Sequence, residues 1–220
     1  MSLDVHADLK AQFPGLQALT SHVQGVMVER QNPELESFKM KLIEKVRERY
    51  DLESLRDQPT FRAYRDFFWR IGIDPTKNRP AAEALIRRIV GGKPLPRINT
   101  LVDAYNLASI QTEVALAAFD ADRLNGSLLM RYARRDEEFL GIGMRKSINL
   151  KGGEIVVSDG EKLVAIYPYR DAENTKVTTA TRNCLLLVCG VPGIRVETLL
   201  NAERVAIDYI TRFCGREKGK

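Results

Sequence analysis

Asp74-Pro75-Thr76-Lys77-Asn78-Arg79-Pro80, then Leu95-Pro96-Arg97-Ile98-Asn99-Thr100-Leu101-Val102-Asp103-Ala104-Tyr105-Asn106, then Ala118-Phe119-Asp120 marks the passage from helices to strands in this chain. Asp74-Pro75 starts a turn, and Pro80 is suited to open a helix because its fixed φ matches the first helical position. Ala82, Leu85, Ile86, Ile89 and Val90 then form one apolar stripe while Arg87 and Arg88 face away. Gly91-Gly92-Lys93-Pro94 ends that helix. A second begins near Asn99, with Ile98, Leu101, Val102, Tyr105 and Ala108 as its apolar side. Asn99, Asp103 and Asn106, spaced by four and three, fall on one polar stripe of it.

Upstream of this run the helical period continues. Leu35, Phe38, Met40, Leu42, Ile43 and Val46 predict a helix from Pro33 to Tyr50, with Asn32 as its cap. Phe61, Tyr64, Phe68 and Ile71 predict another from Gln58 to Gly72 and read as core rather than as a platform for stacking bases. Leu16 to Glu29 reads as a strand broken at Gly25.

Downstream of Glu113 the pattern changes to short apolar runs: 115–119, 127–132, 154–158, 163–167 and 185–189. Asp159-Gly160 between two of them signals a hairpin. Thr198 to Phe213 closes the chain as a helix, and the tail from Gly215 reads as frayed. Helices thus gather in the N-terminal half and a mostly antiparallel or mixed sheet in the C-terminal half. The class is α+β, read as one unit over 1–220, with no repeat or low-complexity linker.

Composition narrows the chemistry. Charged residues make up 29% and apolar residues 44% of 220, ordinary values for a globular protein. No segment approaches the ~20 apolar residues of a membrane helix. The first residues lack the pattern of a secretory leader, and a cytoplasmic location is expected. Three cysteines without a Cys-x-x-Cys pair, two of them in the greasy run 184–189, read as core thiols. Two histidines, His6 and His22, in no ligand spacing argue against a metal site or a Ser-His triad. Neither Gly141-Ile142-Gly143 nor Gly190-Val191-Pro192-Gly193 fits a phosphate-binding glycine fingerprint.

Charge is concentrated. Nine basic residues stand against three acids between Arg62 and Arg97, a surplus of six in a chain whose net charge is +5. Such a cluster is either a solvated helix face or the footprint of a polyanion.

Two constellations could carry chemistry. The stripe of Asn99, Asp103 and Asn106 could border a pocket, orient a water or bind a sugar hydroxyl. Equally, Asn99 suits an N-cap and Asp103 a structural bond to Arg97 or a loop amide. Tyr167-Pro168-Tyr169-Arg170-Asp171, followed by Asn174 to Thr181, suits a functional loop in which Arg170 grips an anion and Lys176 supplies a point charge. It suits as well an ordinary connection capped by Thr178 or Thr179.

The ordered blocks Arg79 to Arg88, Leu95 to Asn106, Ala118-Phe119-Asp120, Thr175 to Thr178 and Cys184 to Cys189 resemble the B3/4 domain of the phenylalanyl-tRNA synthetase β-subunit. Phe13-Pro14-Gly15 and Tyr64-Arg65-Asp66-Phe67-Phe68 resemble the opening of freestanding members. The likeness spans roughly Phe13 to Gly193 and implies the fold of an editing module that hydrolyses tyrosine misattached to the phenylalanine tRNA.

On this resemblance Asn106 falls at a site asparagine that positions water, and Tyr105 at a site threonine. Ala117 falls where the synthetase has a histidine, Leu187 where a glutamate reads the tyrosine hydroxyl, and Arg170 and Asp171 within a glycine-rich segment. The missing imidazole removes the obvious general base. Leu187 argues against reading a phenol and for a smaller or more apolar amino acid.

The resemblance therefore implies a tRNA or aminoacyl-tRNA acceptor end as partner, bound through Arg79, Arg87, Arg88, Lys93, Arg97 and Lys176. It implies a pocket built from Asn99, Asp103, Tyr105, Ala117, Arg170, Asp171 and Leu187, with Asn106 in the catalytic position. Trans-editing hydrolysis leads. A non-catalytic RNA- or protein-binding module, or an enzyme on a small anionic metabolite, are the alternatives. Neither a metal nor an organic cofactor is expected, nor DNA or a membrane as partner.

Overall fold

The structure is a computed structural model describing residues 2–215. The N-terminal half supplies β1 (Leu3–Val5), α1 (Ala7–Gln12), β2 (Ala18–Gln24), α2 (Pro33–Arg49), α3 (Pro59–Arg70), α4 (Ala81–Val90) and α5 (Thr100–Thr112). Then come β3 (Leu116–Asp120), β4 (Leu128–Tyr132), β5 (Glu138–Phe139), β6 (Ile148–Asn149), β7 (Ile155–Ser158), β8 (Leu163–Ile166), β9 (Arg170–Asp171), β10 (Asn183–Cys189) and α6 (Val196–Cys214). The class is α+β. A five-stranded sheet has the order β1-β4-β7-β8-β9, with β1 parallel to β4 and the other pairs antiparallel. A three-stranded antiparallel sheet has the order β2-β10-β3, and β5-β6 is a separate ribbon.

Local chemistry sets most boundaries. Asn32 caps α2 by accepting the N–H groups of Glu34 and Leu35, with Pro33 in the first turn. Asp159 turns the β7–β8 hairpin, accepting the N–H groups of Glu161 and Lys162 on one carboxylate oxygen. The strand expected over Leu16 to Glu29 ends at Gln24, because Gly25 takes a left-handed φ of 69°. Beyond it Val26 and Met27 donate instead to Arg182 and to Cys214 at the end of α6. Of the expected frayed tail, Gly215 donates to the carbonyl of Thr211, while 216–220 lie outside the described residues.

The largest departure from expectation is α5. Its sequence reads as amphipathic, yet ten of its residues from Thr100 to Ile110, Asp103 included, are buried. It runs through the middle of the helical layer against α2, α4, α6 and β3. Its polar stripe therefore faces protein. Asn99 is the N-cap, accepting the N–H of Val102 at 2.9 Å. Asp103 accepts the N–H of Ile98 at 3.1 Å and the ammonium of Lys39 at 2.7 Å, and that ammonium also reaches Glu36 at 2.9 Å. The loop-amide bond expected of Asp103 is present; its cation is Lys39, and Arg97 pairs with Glu36 instead.

With both side chains near 6% exposed, Lys39 and Asp103 form a buried pair. Removing one partner strands the other's charge in a low-dielectric interior, which costs about 3–5 kcal/mol. Lys39→Met should lower the unfolding free energy from urea titration by that amount, and adding Asp103→Leu should restore part of it. A double variant no more stable than Lys39→Met would refute the pairing.

Candidate functional site

The two larger sheets meet along a seam, and the seam holds a cavity of about 70 Å³. Two cross-strand pairs face it. Ala117 of β3 and Leu187 of β10 are direct partners in one sheet, and Ala165 of β8 and Asp171 of β9 in the other. Tyr167 and Cys189 complete the wall, and Ala81, the first residue of α4, stands at its edge. Two buried phenols fix the frame: Tyr167 donates to the carbonyl of Gly190 at 2.5 Å, and Tyr64 donates to the carbonyl of Cys189 and accepts the N–H of Ala115 at 2.9 Å.

Asp171 is the unusual member. Its backbone is held by β8 and by the Ile142 N–H, which bonds its carbonyl at 2.9 Å. Among the described residues no hydrogen bond or ion pair reaches its side chain. Burial pushes its carboxyl up to about 7, against a smaller downward pull from Arg170. Tyr105 of α5 lies close enough for Asp171 to add to the rise that burial imposes on its phenol, and the same holds for the Cys189 thiol. Both of those groups stay neutral at physiological pH, so Asp171 is the wall residue whose charge changes there.

The expected site residues sort into four places. Ala117, Leu187 and Asp171 line the cavity, and Tyr105 lies beside it. Asn106 lines a different niche of about 10 Å³ with Lys39, Asp103 and Leu85, room for one water at most. The amide stripe and the strand-end loop therefore do not enclose one cleft, as expected of them; Asn99 is engaged as the cap of α5 and Asp103 with Lys39, while half-buried Asn106 faces its own niche. Arg170, the neighbour of Asp171 on β9, is exposed and points to the other face, as strand alternation requires. Its stem covers Gly141, where an added Cβ would lie 2.8 Å from Arg170 Cδ. Lys176 is tied to Glu173 by an ion pair. Thr178 accepts the N–H of Ala180, so this connection is in part the capped turn weighed above.

The basic residues gather only in part. Arg79, Arg87, Arg88 and Lys93, joined by Lys77, line one open hollow of about 570 Å³ along α4, with no acid in its wall. Arg87 is anchored on buried Glu83 at 2.7 Å and Arg88 on the carbonyl of Pro94. No partner among the described residues holds the side chains of Arg79 or Lys93. Among the described residues no cluster of three or more His, Cys, Asp or Glu is placed to hold a metal ion.

A family model described as the B3/4 domain matches residues 63–215. This chain belongs to the B3/4 family. Its relatives include the phenylalanine–tRNA ligase beta subunits of Fusobacterium nucleatum and Thermotoga maritima. The first is 33% identical over 91 residues, 41% of this chain and 11% of its own length; the second is 29% identical over 117 residues, 53% and 15%. The chain thus matches only a small part of each. An N-terminal fragment of the phenylalanyl-tRNA synthetase beta-subunit from Pyrococcus horikoshii shares the fold with a TM-score of 0.51 at 16% identity, over 96% of this chain and 48% of that one. The matched segment contains both sheet pairs that form the seam cavity of this B3/4 chain.

What the sequence did not show is the importance of Cys189 and Ala165, which carry no signal beyond apolar strand character; Tyr167 and Asp171 lay in the run read as a functional loop. Asp171 carried a further signal: a lone carboxylate beside a run bound for the interior.

A carboxyl raised from its free value of 3.8 to about 7 makes the folded state bind a proton that the unfolded chain has released. Its cost to stability is absent below about pH 4, grows between 4 and 7, and is full above. Asp171→Asn should therefore match the wild type in melting temperature at pH 4 and exceed it by several degrees at pH 8. Parallel melting curves for the two proteins across that range would disprove the assignment.

Proposed function

We propose that this chain binds the aminoacylated end of a tRNA in the cytoplasm and hydrolyses a mischarged amino acid from it in trans. The observation that carries the reading is the seam cavity itself. In a B3/4 fold whose relatives are named as tRNA ligase subunits, a small apolar recess opposes a carboxylate that has no partner. Leu187 and Ala117 give it no group to read a phenolic hydroxyl or a charged side chain. A polar group of such an amino acid placed against the Ala117–Leu187 wall, opposite Asp171, would be left unpaired there, at a cost of about 1–3 kcal/mol. A small apolar side chain fits the 70 Å³ without that cost.

The hollow along α4 supports the RNA half of this reading. Of its five cations Arg87 is paired with Glu83 and Lys77 with Asp74, and phosphodiesters suit the others. Arg79 and Lys93 are free to meet them. A module that binds RNA without cleaving it is the second reading, favoured by the lack of an imidazole at the cavity: His6 lies at the exposed amino end of α1 and His22 on β2. The small-metabolite alternative loses its main support, since Arg170 does not line the cavity.

Deacylation of alanyl-, seryl-, valyl- and tyrosyl-tRNA should show release of the small amino acids and sparing of tyrosine. Cleavage of tyrosyl-tRNA alone would reject the reading of the pocket. Arg79→Glu with Lys93→Glu should weaken tRNA retention similarly for all tRNA sequences. It should also flatten the dependence of log affinity on log salt by roughly 0.7–0.9 per lost phosphate contact. Unchanged retention would remove the hollow from the interface.

A further inference from the structure

The B3/4 resemblance leaves this chain without an imidazole at the cavity, and the seam supplies another group. We propose that Asp171 is the catalytic general base, drawing a proton from a water that attacks the ester carbonyl of the aminoacyl-tRNA. This inference rests on the hydrolytic reading above and assigns its chemistry to a residue.

The geometry favours Asp171 over every other group at the cavity. Its carboxylate lines the cavity while its backbone is fixed on both sides, by the β8 ladder and by the Ile142 N–H. A side chain so held, in an apolar wall and without a partner, is costly for stability and is typical of a functional site. The other titratable groups facing it are Tyr105 from α5 and Cys189 from β10, both held neutral by burial, and Arg170 on its own strand, which points outward. Tyr167 and Tyr169 line the cavity as neutral phenols, and the Tyr167 hydroxyl is already given to Gly190. The carboxyl value of about 7 matches the working range of a general base at neutral pH.

A second feature lies at the same edge. Ala81 lines the cavity and opens α4, whose N-cap, Pro80, has no side chain to satisfy the first amides. Among the described residues no acceptor takes the N–H of Ala81, Ala82 or Glu83. These amides sit at the positive end of the helix dipole and suit the oxyanion of a tetrahedral intermediate.

The step balances without a further reactant. Water gives one proton to Asp171 as its oxygen bonds to the acyl carbon. The intermediate then collapses and the bond from acyl carbon to ribose oxygen breaks. Asp171 returns the proton to that ribose oxygen, leaving free amino acid, a tRNA hydroxyl and the carboxylate restored.

The test is the pH profile of deacylation by the full chain, with uncatalysed hydrolysis subtracted. Probes are alanyl-tRNA and its α-hydroxy counterpart, which lacks the ammonium group. Wild-type kcat/KM should rise tenfold per pH unit below about 7 and level above it. Asp171→Asn should lose about 100-fold or more and lose the inflection while retaining tRNA as the wild type does. Asp171→Glu, which keeps the carboxylate, should retain measurable cleavage with an inflection. The α-hydroxy substrate should be cleaved with the same dependence on Asp171.

Cleavage by Asp171→Asn at the wild-type rate, or a flat wild-type profile, overturns this inference and leaves the hydrolytic reading standing. Failure on the α-hydroxy substrate alone overturns it by making Asp171 an anchor for the ammonium group. If the wild type cleaves none of the four aminoacyl-tRNAs, the hydrolytic reading falls and takes this inference with it.

Discussion

The carboxyl end of β10 is the point on which the architecture turns. Two phenols from different parts of the chain close on consecutive carbonyls there, Tyr64 of α3 on Cys189 and Tyr167 on Gly190. Tyr64 also takes the N–H of Ala115, at the entry to β3. One hydroxyl thereby ties α3 to β10 and to the entry of β3 in the three-stranded sheet, and the other ties that sheet to the five-stranded one. Each bond pairs a buried backbone group, and leaving such a group unpaired costs about 1–3 kcal/mol. Gly190 completes the constraint: an added Cβ would lie 2.4 Å from the Gln17 carbonyl and 2.5 Å from a Leu199 methyl, so the chain can pass there only without a side chain. The seam cavity lies directly beside this junction, which explains how an unpartnered carboxylate can be held in place without collapsing the wall around it.

The helical half was legible because its signals are local. Asn32-Pro33 and Asn99 carry their caps in neighbouring residues, and the stripe on α4 has the 3.6 period of a helix with one buried side. The same logic failed on α5. Spacing shows which residues share a face, but not whether a second layer covers that face. Here α2 brings Lys39 onto Asp103 from 64 residues away, and the stripe becomes an interior polar network rather than a pocket wall. The family resemblance pointed to Asn106, and the same burial sets it in a niche apart from the cavity.

The cavity was legible in another way. Ala117 and Leu187 were singled out by resemblance, and they prove to be cross-strand partners 70 positions apart. Nothing in the local pattern of either strand states that register. The opposite wall was harder still, since β9 is two residues long and its alternation is too short to read. That one step of alternation places Asp171 in the cavity and Arg170 outside, although the sequence reading put both in the pocket.

On the proposed reading, this placement of charge separates two tasks that compete when they share a surface. Binding a polyanion calls for exposed cations whose attraction is strong and indifferent to sequence. A base that must gain and lose a proton near neutrality calls for the reverse, because a nearby cation would stabilise the carboxylate and pull its pKa down. α4 lets both coexist. Its first residue edges the cavity, while the hollow runs along the helix from Arg79 just before it to Arg87 and Arg88 in its last turn, about 10 Å further along the axis. Arg87 is pinned on Glu83 and Arg88 on Pro94. With burial as the dominant influence on Asp171 and Arg170 the only opposing charge, the carboxylate keeps its neutral-range titration beside a strongly basic surface.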